Sequence, residues 1–454
     1  MSRGNRSNSF IIFCSVFFGL FFSTTMIYAA PFAYVTNSEA GGTVSVIDAG
    51  TNTVIATIPV GSFPRDIAGN PTGTRMYVAN SFDDTVSVIN TATNSVLATI
   101  SVGSSPDGVA GNPSGTRVYV ANAGSNTVSV IDTATETVIA TIPVGDAPSR
   151  LAVTPDGARM YVTNFGNGTV SVIDTATNTV IATIPVGVFP FGLAVTPDGA
   201  RMYVANFADN TVSVIDTATN TVITTISVGF LPYALAVTPD GTRMYVANLV
   251  DGTVSVINTA TNTVITTIPV GVFPSGLAVT PDGARMYVAN SIDNTVSVIN
   301  TATNTVIATI PVGTSPYALA FVVDPTPDAF SFTAQTNVPL NTVVTSNTIT
   351  VAGIDTASPI SIVGGTYSIN GGDYTSATGK VNNGDTVTVR QTSSSSPSTT
   401  TTATLTIGGV SGAFDVTTLV APVPVPTMNE WGMMIFVLLA CLCSVYYLRR
   451  LGRI

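Results

Sequence analysis

The chain has 454 residues, 9% of them charged and 45% hydrophobic, with no histidine, three cysteines and a net charge of −10. Without histidine, a Ser-His-Asp triad lacks its base and zinc or haem lacks its usual imidazole ligand, and Cys14, Cys441 and Cys443 all sit in apolar segments near the termini. The acid excess repels phosphate backbones, so no nucleic acid partner is expected, and neither is a cofactor or a bound metal.

At the start, Arg3 and Arg6 precede an apolar run over residues 10–22 and the small pair Ala29 and Ala30. That order is the one of a secretory signal, so residues 1–30 are read as a signal peptide that sends the remainder out of the cytoplasm.

The next segment repeats. Tyr-Val-(Ala/Thr)-Asn begins at Tyr34, Tyr77, Tyr119, Tyr161, Tyr203, Tyr245 and Tyr287, in steps of 43, 42, 42, 42, 42 and 42 residues. One period, residues 193–229, holds four short β-rich runs separated by Pro-Asp-Gly, by a polar turn, by Thr-Ala-Thr-Asn and by a glycine. Four strands per period of this length make a propeller blade, which cannot bury its apolar faces alone and must stack on neighbours. The repeat resembles the YVTN family of β-propellers, and its strand and turn order parallels that of WD-repeats. The resemblance covers residues 31–323.

Strand counting indicates how the ring closes. The first such strand, 34–37, lacks a preceding inner strand, while residues 317–323 form a lone inner-type strand after seven full periods. Pairing the two yields seven blades of four strands and removes an exposed edge; an open solenoid would leave a sticky strand at each end.

The copies also differ informatively. Between 161–202 and 203–244, 31 of 42 positions are identical, and seven of the eleven differences fall at 166–168 and 188–192. These are the loop between the second and third strands and the crossover into the next innermost strand, which emerge on one face of the disc. Each crossover contains a proline, and the residues just after it should ring the mouth of the central channel. The candidate ligand-binding residues are therefore Arg65, Asp66, Asp107 and Arg150 on a charged arc, with Phe191, Tyr233 and Tyr317 on an aromatic one. Aromatic faces beside carboxylates and guanidiniums suit a carbohydrate or protein ligand. The repeated asparagine that closes each tetrapeptide, and the arginine after each Pro-Asp-Gly-type turn, are read as structural, the arginine as a turn-stabilising partner of nearby Asp or carbonyl groups. Asp83, Asp84, Asp209, Asp251 and Asp293 offer oxygens but lack a calcium-loop spacing.

From residue 324 the period vanishes. Residues 324–327 (Asp-Pro-Thr-Pro) are a stiff linker. Residues 328–420 alternate, as in TITV at 348–351 and TVTVR at 386–390, with Asn-Gly and Asn-Asn-Gly turns at 370–371 and 382–384, which reads as an Ig-like β-sandwich. A proline-rich spacer and sorting motif occupy 421–430. A transmembrane helix follows at 431–448, ahead of the basic tail 449–454, whose arginines should remain cytoplasmic.

The sequence Val-Pro-Thr-Met-Asn-Glu-Trp-Gly at 425–432 resembles the IPTL-CTERM sorting signal of Gram-negative bacteria through Pro426, Thr427, Trp431 and Gly432. That resemblance implies processing by an exosortase-type membrane protease and delivery to the cell surface.

The expectation is an all-β chain: a seven-bladed β-propeller closed by a C-terminal strand, then an Ig-like β-sandwich and one C-terminal transmembrane helix. Its expected role is a non-catalytic binding or adhesion module anchored at the surface. A surface-layer component is the alternative, since such repeats resemble segments of archaeal surface-layer proteins. Propellers related by fold also include lactonases and quinoprotein dehydrogenases.

Overall fold

The computed structural model describes residues 31–322, 326–355, 357–421 and 429–452. The expected signal peptide, the end of the closing strand at Val323, and Pro426 and Thr427 of the sorting motif lie outside these residues. The chain divides into two compact units between Asp324 and Pro325.

The first unit holds seven four-stranded antiparallel sheets. Blade 2 is typical, with Pro64–Gly69 innermost, then Arg75–Asn80, Thr85–Asn90 and Ser95–Ser101 at the rim. Each innermost strand lies beside the innermost strands of the two adjacent blades, and the sequence of neighbours returns to its start. The seam is in blade 1. There Pro316–Phe321 pairs antiparallel with Phe32–Asn37, setting Val35 opposite Leu319 and Ala33 opposite Phe321. The amide of Val322 donates to the carbonyl of Phe32 at 2.9 Å, and that of Ala318 to Thr36 Oγ1 at 3.0 Å.

Period-2 alternation explains the packing. Val44 and Val46 face one neighbour and join a core with Ile67, Met76 and Val78 of blade 2. Ile47 faces the other and packs with Tyr287, Val296 and Val298 of blade 7. Seven such cores occupy the seven spaces between blades. Every sheet is therefore apolar on both faces.

Polar staples link blades as well. Four of the buried tetrapeptide tyrosines, Tyr34, Tyr161, Tyr203 and Tyr287, bond to the outer turn of the next blade, as Tyr203 Oη donates to Asn262 Oδ1 at 2.9 Å and Tyr287 Oη to Asn52 Oδ1 at 2.8 Å. The arginines after the Pro-Asp-Gly-type turns find carbonyl partners on the next blade. Arg159 donates to the carbonyl of Thr217 at 2.8 Å and Arg285 to that of Ala49 at 2.6 Å, each on the adjacent blade. Arg117 departs from this pattern, pairing with Asp132 inside its own blade. The repeated asparagine is structural: Asn206 Nδ2 donates to Thr211 and Ser213, and its Oδ1 accepts from Gly187.

One copy carries a different residue at the staple. The last position of the Thr-Ala-Thr-Asn turn has left-handed φ in Asn52, Asn94, Asn178 and their equivalents, but blade 3 carries Glu136 there at φ 53°. Glutamate pairs instead with Arg75, and burial pushes its carboxyl above the ordinary range despite that arginine. Asparagine adopts this conformation more readily and would offer Tyr77 the acceptor that Tyr34, Tyr161, Tyr203 and Tyr287 have. Glu136→Asn should raise unfolding stability by about 1 kcal/mol in urea titration. A loss of stability would show that the Arg75 ion pair outweighs the backbone strain.

The second unit is a β-sandwich. One sheet runs Gln335–Val338, Val410–Thr418, Thr400–Ile407, Ser358–Val363 and Gly379–Val381; in the other, Thr386–Thr392 pairs with Val343–Thr345, Ile349–Thr350 and Thr366–Ile369. Between them lies a core that includes Ile360, Val387, Val389, Leu405 and Phe414. The turn at Asn370 and Gly371 has positive φ at both residues, the geometry a tight hairpin needs.

Glu430–Arg450 is a helix with no buried residue, and among the described residues it is the one helix long and apolar enough to cross a membrane. It begins one residue before the expected span and runs two beyond it. Asn429 caps its start by accepting from the amide of Gly432 at 2.8 Å, while Arg449 and Arg450 sit in the last turn, where cations complement the helix dipole.

Candidate functional site

The crossovers and the loops between second and third strands lie together on one face and are tied to each other. Aspartates in those loops accept from crossover amides: Ser62 to Asp83, Val188 to Asp209, Phe230 to Asp251 and Val272 to Asp293, all at 2.7 Å. The adjacent loop residue holds the crossover entering the next blade. Ser105 donates to Asp84 at 2.8 Å, Ala147 to Asn126 at 2.9 Å, Leu231 to Asn210 at 2.9 Å and Ser315 to Asn294 at 2.8 Å. The side chains considered as calcium oxygens thus each carry a backbone clamp.

The seven expected mouth residues come together. Arg150 is the hub, with Nη1 at 3.2 Å from Asp107 Oδ2 and Nε at 3.9 Å from Asp66 Oδ2. It also donates to the backbone carbonyls of Asp107 at 2.6 Å and Arg65 at 3.3 Å, so one guanidinium bridges three blades. Its carbon lies 4.7 Å from the centroid of the Phe191 ring and 5.7 Å from that of Tyr317, while Arg65 lies 4.7 Å over Tyr317. Phe191 stacks on Tyr233 at 3.9 Å, Tyr233 meets Tyr317 edge-on, and the two phenols are hydrogen bonded.

The electrostatics are those of a closed set. The side chains of Arg150, Asp107 and Asp66 are only 14%, 16% and 18% exposed. Burial pushes the Asp66 carboxyl up, against the pull of Arg150 and the amide of Val109. Burial also opposes the charge on Arg150, but Asp107 and Asp66 outweigh it and hold the guanidinium firmly protonated. Tyr233 and Tyr317 are raised mainly by burial, so both remain phenols. Phe191 is 7% exposed. The cluster is a packed floor across the mouth, its polar groups largely consumed by one another.

Above that floor stand side chains the sequence reading passed over. Phe82 (77% exposed), Phe230 (52% exposed), Val188, Val250, Val272 and Ile292 project from the loops and crossovers, with Phe189 and Phe273 beside them. They precede the crossover prolines or occupy the loop tips. The residue just before each proline has left-handed φ, 51° at Phe63, 55° at Phe189 and 57° at Phe273. That turn parts outward residues from the ones after the proline, which enter the mouth. The available signal was that both positions before the proline are large and apolar in blades 5–7, where every other copy has Ser, Thr or Asp at the first of the two.

A closed ring of seven blades with one uniform and one variable face is the architecture of a β-propeller that presents loops on a rigid scaffold. The family model for YNCE-like β-propellers matches residues 48–165, 149–247 and 241–344, well over half of the chain, which belongs to that family. No curated protein matches it significantly in sequence.

In structure the chain is similar to a functionally unknown protein from Desulfotomaculum acetoxidans DSM 771, with a TM-score of 0.58 and 19% identity over 64% of this chain and 99% of that one. It is similar too to Kuenenia stuttgartiensis hydrazine synthase, with a TM-score of 0.54 and 24% identity over 59% of this chain and 95% of that one. A candidate 6-phosphogluconolactonase from Bacteroides fragilis NCTC 9343 aligns with a TM-score of 0.56 and 18% identity over 65% of this chain and 99% of that one. At these identities the likeness establishes the fold and no activity.

Proposed function

We propose that the protein is a surface-anchored, non-catalytic recognition module. Its propeller meets a carbohydrate or protein ligand on the variable face, with Arg65, Asp66, Asp107, Arg150, Phe191, Tyr233 and Tyr317 as the floor of the site. The observation that carries this reading is the crown of exposed Phe, Val and Ile side chains above that floor, since monomeric surfaces rarely keep such groups together without a partner. A non-catalytic role is supported by the carboxylates at the mouth, whose charge is taken up by Arg150.

Secretion through the N-terminal signal and sorting through the motif containing Trp431 and Gly432 complete the proposal, with an exosortase-type enzyme as the processing partner. Both residues stand at the head of the apolar helix. Full-length protein in detergent, applied to glycan and peptide arrays, should bind a restricted set of ligands, and Phe82→Ala/Phe230→Ala/Phe273→Ala should abolish that binding. Unaltered binding by the triple variant would reject the crown as the recognition surface.

A second reading has its own observation. The rim strands leave Ile55, Leu97, Ile139, Ile181, Ile223, Ile265 and Ile307 exposed around the whole circumference, on edges with no paired neighbour. Lateral packing of copies into a surface layer would cover them. Concentration-dependent assembly that Ile181→Lys/Ile223→Lys suppresses would favour that role.

A further inference from the structure

We infer that the partner of the crown is a basic amphipathic protein segment, one whose lysines or arginines alternate with aliphatic side chains. This rests on the reading of the crown as the recognition surface and adds the chemistry of what it takes.

The argument is the sign and placement of charge. The arginines after the Pro-Asp-Gly-type turns all begin second strands on the opposite face. The variable face keeps nine carboxylates and two guanidiniums, an excess of seven negative charges. Of the two cations, Arg150 is spent on Asp66 and Asp107, and Arg65 lies against Tyr317. Asp83, Asp84, Asp146, Asp209, Asp251 and Asp293 are exposed with no ion-pair partner within 4 Å among the described residues.

These charges are interleaved with the crown. Val188 sits where its amide meets Asp209, Phe230 where its amide meets Asp251, and Val272 where its amide meets Asp293. Val250 and Ile292 immediately precede two of these aspartates. Blades 5, 6 and 7 therefore carry three successive cells, each a greasy side chain beside a carboxylate.

A lysine or arginine laid over such a cell rests its alkyl stem on Phe, Val or Ile and its charged head on the aspartate. Polyanions are repelled by the same field. A neutral sugar fits less well, because the cells of blades 5 and 7 are built on Val188 and on Val272 with Ile292, which offer no flat platform, and each of these aspartates already accepts a backbone hydrogen bond.

The test uses the full chain in neutral detergent and three labelled peptides of one leucine-rich pattern, bearing lysine, glutamine or glutamate at the polar positions. The charge variant is Asp209→Asn/Asp251→Asn/Asp293→Asn. Asparagine retains the oxygen that accepts the crossover amide, as Asn126, Asn210 and Asn294 already do, so the loops keep their clamps.

The lysine peptide should bind more tightly than the other two, weaken steeply with salt, and lose about tenfold in affinity for the charge variant. Equal binding of the glutamate peptide, or an unchanged affinity in the charge variant, would overturn the inference. If Phe230→Ala/Phe273→Ala abolishes binding while the charge variant does not, the crown remains the recognition surface and the basic partner falls. If neither variant alters binding, both readings fall.

Discussion

Leu319→Pro should open the ring and lower the unfolding temperature by about 10 °C, the change expected for a loss of several kcal/mol in a unit of this size. Leu319 is buried in the core between blades 7 and 1 and stands opposite Val35 in the one sheet assembled from both ends of the repeat. Proline there empties a leucine-sized space in that core and restrains the residue before it, although the Leu319 N–H itself points away from the paired strand, towards which the amides of Ala318 and Val322 point. The other six blades are continuous hairpins whose strands are tethered by short turns. In blade 1 the inner strand is held to its sheet by hydrogen bonds and packing alone.

The same change at Leu277, in the continuous blade 7, is the comparison. Both variants lose a buried leucine from a core between blades, but only Leu319→Pro should also expose the ends of the repeat to proteolysis. Equal melting temperatures and equal protease resistance for the two variants would show that the seam carries no special share of the fold.

Arg150→Met should cost about 3–5 kcal/mol, because it strands the carboxylates of Asp66 and Asp107 in a site where each is more than four-fifths covered. Methionine matches much of the aliphatic stem, so the loss would arise mainly from uncompensated charge. Adding Asp66→Asn and Asp107→Asn to the same chain should recover more than half of it. The buried charges are then gone, and an amide oxygen at position 66 can still accept from the backbone N–H of Val109, as the carboxylate does.

The pH dependence follows from Asp66, whose folded pKa is already raised by burial. A carboxyl that holds its proton more tightly when folded gains stability as pH falls. Removing Arg150 takes away the main influence pulling that pKa down, so the deficit of Arg150→Met should narrow between pH 7 and pH 5. A deficit under about 1 kcal/mol in urea, or one that widens on acidification, would mean that solvent compensates both carboxylates.

The 42-residue period made the blades, the seam and the variable face legible from residues alone. What the period hides is which copy supplies a partner. Arg159 reaches Thr217, one period and sixteen residues away, and in the sequence that threonine is indistinguishable from its counterpart in the arginine's own blade. The sequence therefore marks the arginines as partners of a nearby Asp or carbonyl without marking the blade that supplies it. The helix was legible as an apolar run, whereas its ends depended on the Asn429 cap and on arginines that favour the last turn.

The mouth residues were found because they follow a proline in every copy. Their burial was not legible, because it depends on Arg150 reaching across to Arg65 and Asp107 from another blade. The crown was missed for a local reason. The left-handed residue before the proline reverses the direction in which successive side chains point, and no composition rule marks that reversal when the residue is Phe, Leu, Ser or Ala.

The paired loop clamps bear on how fast and how cheaply anything can dock. An arriving molecule finds main-chain atoms already immobilised by two acceptors from neighbouring loops, so little freedom remains to be surrendered on contact. Capture should proceed as one rigid body meeting another, with rate governed by diffusion and salt rather than by loop reordering. The same tethering lets side chains at the tips be exchanged freely, which allows one scaffold to acquire new specificities without refolding its rim.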